Sequence, residues 1–310
     1  MCCRKHRILQ RGKTVQTLSG LRLSDYRHVL TCALVYGLAV VLARFAFEDG
    51  GNAATVVSVR CSFAACAIGI ALRLGGEERR TTGRERSLLL GLGLAFALGV
   101  FSFYKAIEIL RVPLAILTFY VNPLIIGVLS ALVGFERLTG RTLVFALLSL
   151  AGLALATGAS PDAVDAEGIA YALLAAALTA GVLVVSTHRL SHVNANSRTF
   201  WMMASTSAAV TAGTLAGDAL SWPRSALGVA AIAAICVLYA IGLVALFTSA
   251  TRIGPLRTGL AMNLEPVVAI GGSWLLLGQG LTPLQLAGGA LVITGVVGAQ
   301  ISKRPAPLAH

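Results

Sequence analysis

Glu265 stands about ten residues inside the apolar stretch 256–277, and no other acidic residue lies so deep in an apolar stretch. A carboxylate surrounded by hydrocarbon must be protonated, paired with a cation or hydrogen-bonded. Three roles are open to it: a proton-coupling group, a counter-charge for an amine-bearing solute, or a protonated structural carboxyl bonded to a neighbouring helix. Asn122 holds the matching place in the stretch 112–134, two residues after Tyr120, and Pro123 and Pro266 follow Asn122 and Glu265 directly. Each proline removes a backbone donor and weakens a helix about one turn earlier. Two such breaks at related depths either build a binding site from discontinuous helices or are ordinary kinks filled by neighbours.

Arg60 sits roughly eight residues, about 12 Å of helix, inside the stretch 52–74. It pairs with Glu265, attracts an anionic solute, or anchors the helix by snorkelling. Arg44, nearer the end of its stretch, reads as a snorkelling residue. Tyr36, Tyr104, Tyr120 and Tyr239, with Phe103, have the rings to stack on a solute or to pack the bundle. Thr248, Ser249 and Asn263 are polar candidates, although hydroxyls also bond their own helix backbone. Lys105 and Glu108 are spaced for an exposed pair. His188 and His192 have the i, i+4 spacing of a metal pair but no third ligand, and the six cysteines show no CxxC spacing. No metal, cofactor or disulfide framework is expected.

These residues need helices that cross a membrane. Of 310 residues, 56% are hydrophobic and 12% charged, about half the charged fraction of a soluble domain. That composition excludes a soluble enzyme and a disordered chain. Ten apolar stretches run over 28–47, 52–74, 88–107, 112–134, 142–158, 168–187, 200–217, 226–249, 256–277 and 284–302. Their lengths suit transmembrane helices, and their lack of period-2 alternation argues against a β-barrel. The net charge of +12 is spread over short loops as a topology signal rather than gathered into a nucleic-acid-binding module. With the N-terminus cytoplasmic, 20 of the 25 Lys and Arg fall on that side, Arg198, Arg252 and Arg257 among them as loop residues. Three fall outside, and Arg44 and Arg60 lie within spans. The organisation expected is a basic cytoplasmic tail over 1–27, five-helix units over 28–158 and 168–302, and a cytoplasmic tail over 303–310. The expected location is a plasma membrane, the inner membrane of a bacterium, with both termini cytoplasmic.

The two units are related. NPLIIGVLSALVGFERLT from Asn122 parallels EPVVAIGGSWLLLGQGLT from Glu265 at an offset of 143, matching Pro123/Pro266, Leu132/Leu275, Thr139/Thr282 and Gly152/Gly295; with one gap, FYKAIEIL parallels FTSATRIG. Five spans per unit is odd, so the second unit enters from the opposite face, an inverted pair suited to alternating access.

VYGLAVVLARFAFE, the arginine of VRCSFAA, FYKAIEILRVPLAILTFYVNPLIIGVLSALVGFERLT and NLEPVVAIGGSWLLLGQGLTPLQLAGGALVITGVV resemble EamA-type members of the drug/metabolite transporter superfamily. The resemblance implies an all-α polytopic fold of ten transmembrane helices in two inverted repeats, with a central cavity for small metabolites, usually moved outward. It also implies a gating or packing contact at Glu136, whose counterpart here is Gln279. Tyr36 departs from the tryptophan of many relatives. An intramembrane enzyme acting on lipid is the chief alternative and a channel the next. HExxH, GxSxG and Walker patterns are absent, and no aspartate lies within a span. The partners expected are a small solute and membrane lipid, not nucleic acid; nothing in the sequence indicates an oligomeric state.

Overall fold

Apolar runs whose backbone can bond only to itself have one local solution in hydrocarbon, the helix. The computed structural model describes residues 23–74, 81–110, 112–134, 139–158, 165–217, 219–278 and 280–301. They form twelve α-helices: α1 (Leu23–Glu48), α2 (Ala53–Leu74), α3 (Gly83–Ile109), α4 (Val112–Phe119), α5 (Asn122–Leu132), α6 (Gly140–Thr157), α7 (Ala166–Arg189), α8 (Ala195–Ala216), α9 (Ala226–Ile253), α10 (Pro255–Met262), α11 (Leu264–Leu277) and α12 (Pro283–Ile301). α4 with α5, and α10 with α11, are each one broken rod, so ten rods result where ten single helices were expected. Eight rods are long and apolar enough to cross a membrane. α12 is apolar but shorter, and α8 is the polar one, with four threonines and three serines.

Matching caps bound the matching helices. Thr82 and Ser225, 143 residues apart, cap α3 and α9 through their hydroxyls. Thr139 and Thr282 do the same for α6 and α12, and Asn52 and Asn194, 142 apart, cap α2 and α8 through their amide oxygens. α4 and α10 begin and end at the same offset of 143. Packing repeats as well: α1 lies on α9 as α7 lies on α3, and α11 lies on α1 as α5 lies on α7.

The α6–α12 crossing is its own mate. A Cβ on Gly152 would stand 2.7 Å from the Gly288 carbonyl oxygen and the Val292 nitrogen. A Cβ on Gly295 would stand 2.7 Å from the Phe145 carbonyl oxygen and the Ser149 nitrogen, the same positions carried over by 143. Small residues let the two backbones touch. Between α2 and α8 the glue is hydroxyls: Ser58 to Thr214 at 2.9 Å and Ser62 to Ser207 at 2.8 Å. The outer surface is greasy, with Leu132 79% and its repeat mate Leu275 73% exposed, positions that suit contact with acyl chains and not water.

Arg198 does not stand in a loop. α8 starts five residues earlier than expected, which draws Arg198 into its first turn, where it is 1% exposed. Its Nη1 donates to the Ser186 carbonyl at the end of α7 (3.1 Å) and its Nη2 to the Phe247 carbonyl of α9 (3.2 Å). Arg252 and Arg257 likewise fall in α9 and α10, and Arg257 donates to the Tyr26 hydroxyl at 3.0 Å.

Candidate functional site

The two breaks put the polar residues at the seam between the halves. Helix α4 ends at Phe119, Tyr120 and Val121 form a turn, and α5 restarts at Asn122 with Pro123 in its first turn. Asn263 makes the equivalent break between α10 and α11, followed by Leu264, Glu265 and Pro266. A proline is tolerated in a first turn because its missing N–H would have had no helical partner there.

Each break faces the other half. The Tyr120 hydroxyl lies within electrostatic reach of the Glu265 carboxylate. Asn263 donates through Nδ2 to Ser149 of α6 at 2.9 Å, and its Oδ1 is buried without a partner. The Tyr120 ring meets Phe119 edge-on, and Phe119 packs on Phe103 with centroids 4.8 Å apart. Asn122 is half-buried and its side chain forms no hydrogen bond among the described residues. α1 passes close by: a Cβ on Gly37 would stand 2.8 Å from the Glu265 carbonyl oxygen.

Beside this seam lies an aromatic group. Tyr36 stacks on Tyr239 at 5.6 Å and 20° between planes, and the Arg60 guanidinium lies over the Tyr239 ring at 4.5 Å. Tyr36 rests against Gly242 of α9, where a Cβ would collide with its ring. The Cys61 thiol donates to the Tyr239 hydroxyl at 4.0 Å, and the Tyr104 hydroxyl donates to the Ala53 carbonyl at 3.4 Å. The Tyr36 hydroxyl and Arg60 Nε are buried without partners. Arg60 lies within electrostatic reach of Glu265 but forms no ion pair with it; Arg44–Glu48 and His192–Glu85 are pairs found among the described residues.

The structure therefore brings Tyr36, Arg60, Tyr104 and Tyr239 into one group and Tyr120, Glu265 and Asn263 into the adjoining seam. Thr248 is half-buried on α9 and its side chain forms no hydrogen bond among the described residues, while Ser249 bonds Thr258 of α10 at 3.0 Å. Glu136 and Gln279, and the Glu108 side chain, lie outside the described residues. Among the described residues no His, Cys, Asp and Glu cluster could hold a metal; His192 bonds Glu85 of α3 instead. Two features escaped the sequence reading: the buried Arg198, and Asp49, which ties the α1–α2 turn to the start of α9. Asp49 accepts from the Ser225 N–H at 2.6 Å. Hydrogen bonds from Ser225, with the neighbouring Arg224, hold its carboxyl below the ordinary value.

A groove of about 450 Å³ between α2 and α8, lined by Phe63, Cys66, Leu220 and Trp222 among others, lies away from the seam. The central group is instead a closely packed set of half-buried side chains, a polar interior that a solute would have to part.

The comparisons with known proteins bear on both halves. The model of a family described as the EamA-like transporter family matches residues 28–158 and again 166–300. A protein of Archaeoglobus fulgidus described as an uncharacterized transporter is 30% identical over 271 residues, covering 87% of this chain and 93% of that one. A protein of known crystal structure superposes with a TM-score of 0.76 at 19% identity, covering 90% of this chain and 98% of its own, a likeness of fold alone.

Proposed function

The chain belongs to the EamA-like transporter family, an all-helical multi-pass membrane protein of two halves, and on that premise we propose that it exports a small solute by alternating access, with proton coupling through Glu265. The observation that carries this reading is the meeting of Tyr120 and Glu265, one from each of the two repeat-related helix breaks, within electrostatic reach of each other across the seam. A contact between halves that rock against each other must be remade in each cycle.

In the cycle, Glu265 takes a proton while the seam is open to the outside and lets a cationic solute group go. Opened to the cytoplasm, it gives up the proton and receives the next solute. Asn122, the repeat mate of Glu265, does not titrate, so one carboxyl serves both states. Tyr36, Tyr104 and Tyr239 line the path, Arg60 lies within electrostatic reach of the carboxylate without pairing with it, and Thr248 is a further wall residue. Pro123 and Pro266 keep the breaks in place, and Glu136 and Gln279 act at the ends as gate contacts. The location that fits is a bacterial plasma membrane with both termini cytoplasmic and lipid as the surrounding partner. No enzymatic step is needed, and nothing favours an intramembrane enzyme or a channel over this reading.

The test is counterflow in proteoliposomes against a panel of amines, amino acids and nucleosides, for the parent and Glu265→Gln over a pH series. We expect the variant to lose the pH dependence while it retains exchange of at least one solute. An unchanged pH profile removes the coupling role; no exchange of any solute by the parent removes the transport reading for that panel.

A further inference from the structure

We infer that Arg60 is the docking cation for an oxyanion on the solute, a carboxylate or a phosphate-like group, which the Tyr36 hydroxyl also receives. The inference rests on the transport reading above and adds the chemical class of one end of the solute.

A guanidinium carries five N–H donors in a fixed fork that matches a carboxylate or phosphate edge. Buried in a bundle, it is costly unless those donors are met. Arg60 is not met in that way. Its Nε is buried without an acceptor, and among the described residues no carboxylate lies within 4.0 Å of it. The face of the guanidinium is held by the Tyr239 ring at 4.5 Å, which fixes the plane of the fork and leaves its edge for something else. The Tyr36 ring stacks on that same Tyr239, and the Tyr36 hydroxyl is the second buried donor without an acceptor. Two orphaned donors in one aromatic group lack the same thing, an acceptor with more than one oxygen.

The fold itself does not call for a cation here. The N-caps Asn52 and Asn194 set the offset of α2 and α8 at 142, which places Met202 where Arg60 stands in the first half. Met202 is fully buried, and α8 packs on α3 as α2 packs on α9. An apolar side chain thus fills the equivalent position in the same packing, and the charge at Arg60 answers to a ligand and not to the architecture. Nor is Arg60 a second Arg198: the Arg198 Nε is also buried without an acceptor, but its two terminal nitrogens are both spent on carbonyls and no aromatic ring among the described residues holds its face.

The test uses the full chain in nanodiscs, labelled with 15N-arginine, and reads the Nε–H resonance that is missing in Arg60→Lys. Benzoate, phenyl phosphate and the neutral isostere benzamide are the probes. We expect benzoate or phenyl phosphate to move that resonance saturably, at an affinity at least tenfold above that of benzamide. The tighter of the two anions identifies the group. Arg60→Gln should lower the affinity for that anion at least tenfold, measured by ligand-induced shift of the thermal midpoint, and Arg60→Lys should recover part of it. If neither anion moves the resonance, or benzamide moves it equally, the inference falls, and this comparison needs only the parent protein. Counterflow separates the two readings. Exchange that persists with no anion bound at Arg60 leaves transport standing, and an Arg60 resonance that answers an anion in a protein that exchanges nothing leaves only the site.

Discussion

A charge inside a membrane bundle must find partners, and the two buried arginines do so differently. Arg198 ties the end of α7 to α9 through two carbonyls. Replacing it by leucine removes both bonds while relieving the desolvation of the cation; Ser186 keeps the Leu190 N–H and Phe247 the Thr251 hydroxyl, and charge-assisted bonds of this kind are each worth about 1.5–3 kcal/mol. We expect Arg198→Leu to lose on the order of 2 kcal/mol, read as a lower thermal midpoint. An unchanged midpoint would mean that the two bonds do no more than offset the desolvation of the cation. The sequence hid this residue because its flank, SHVNANSR, reads as a polar basic loop, and only the Asn194 cap marks the helix as starting before it. Glu265 and Asn122 were legible because each immediately precedes a proline in an apolar run. The Tyr36–Tyr239–Arg60 grouping was not, since stacking between residues about 200 positions apart leaves no mark on spacing. Arg60 and Glu265 were read as possible partners because both are charged and deep. The ring of Tyr239 took the cation first, as an aromatic face does when no carboxylate reaches it.

At the level of helices, the duplicated caps and glycines were legible as an offset of 143, but the use of each copy became visible only in packing. Gly152 and Gly295 occupy equivalent places at one crossing. Gly152→Ala and Gly295→Ala should therefore destabilise alike, by about 1–3 kcal/mol, since the new methyl meets backbone that cannot step aside. Gly91→Ala in α3, where a Cβ meets nothing within 4 Å, should be neutral or gain up to about 1 kcal/mol from helix propensity. Equal effects at all three positions, measured by thermal midpoint, would discard the close-crossing argument. The α1–α2 turn gives a pH-dependent element. The hydrogen bonds from Ser225 favour ionised Asp49, so its folded-state pKa lies below the unfolded one. Its contribution is complete above the ordinary carboxylate pKa of about 4 and disappears as pH falls through the lower folded value. Amide protection at residues 49–52 and 219–228, relative to intrinsic exchange, should thus fall on acidification below about pH 4, and Asp49→Asn should remove that step. Protection that stays constant through this range in the parent would show that Asp49 does not hold the turn.

Across the whole molecule, the pseudo-two-fold relation turns Asp49 into His192, Ser225 into Thr82 and Gly228 into Glu85, each 143 residues apart. On one face Asp49 bonds the first turn of α9; on the other His192 bonds Glu85 in the first turn of α3. The same architectural joint closes both ends of the seam with different chemistry, a fixed hydrogen-bonded carboxylate at one and a histidine–carboxylate pair at the other. This could not be read beforehand, because His192 presented itself as half of a metal pair with His188 and Asp49 as a loop aspartate. If the halves rock, each joint must open once per cycle. In a background with the native cysteines replaced, Asp49→Cys with Ser225→Cys, or His192→Cys with Glu85→Cys, bridged by a disulfide or a short bismaleimide, should each abolish counterflow. The disulfide forms should recover on reduction, and the uncrosslinked pairs should retain exchange. Exchange that continues with either joint locked would show that the locked face never opens, and the two halves would then have to work by some motion other than alternation about Tyr120 and Glu265.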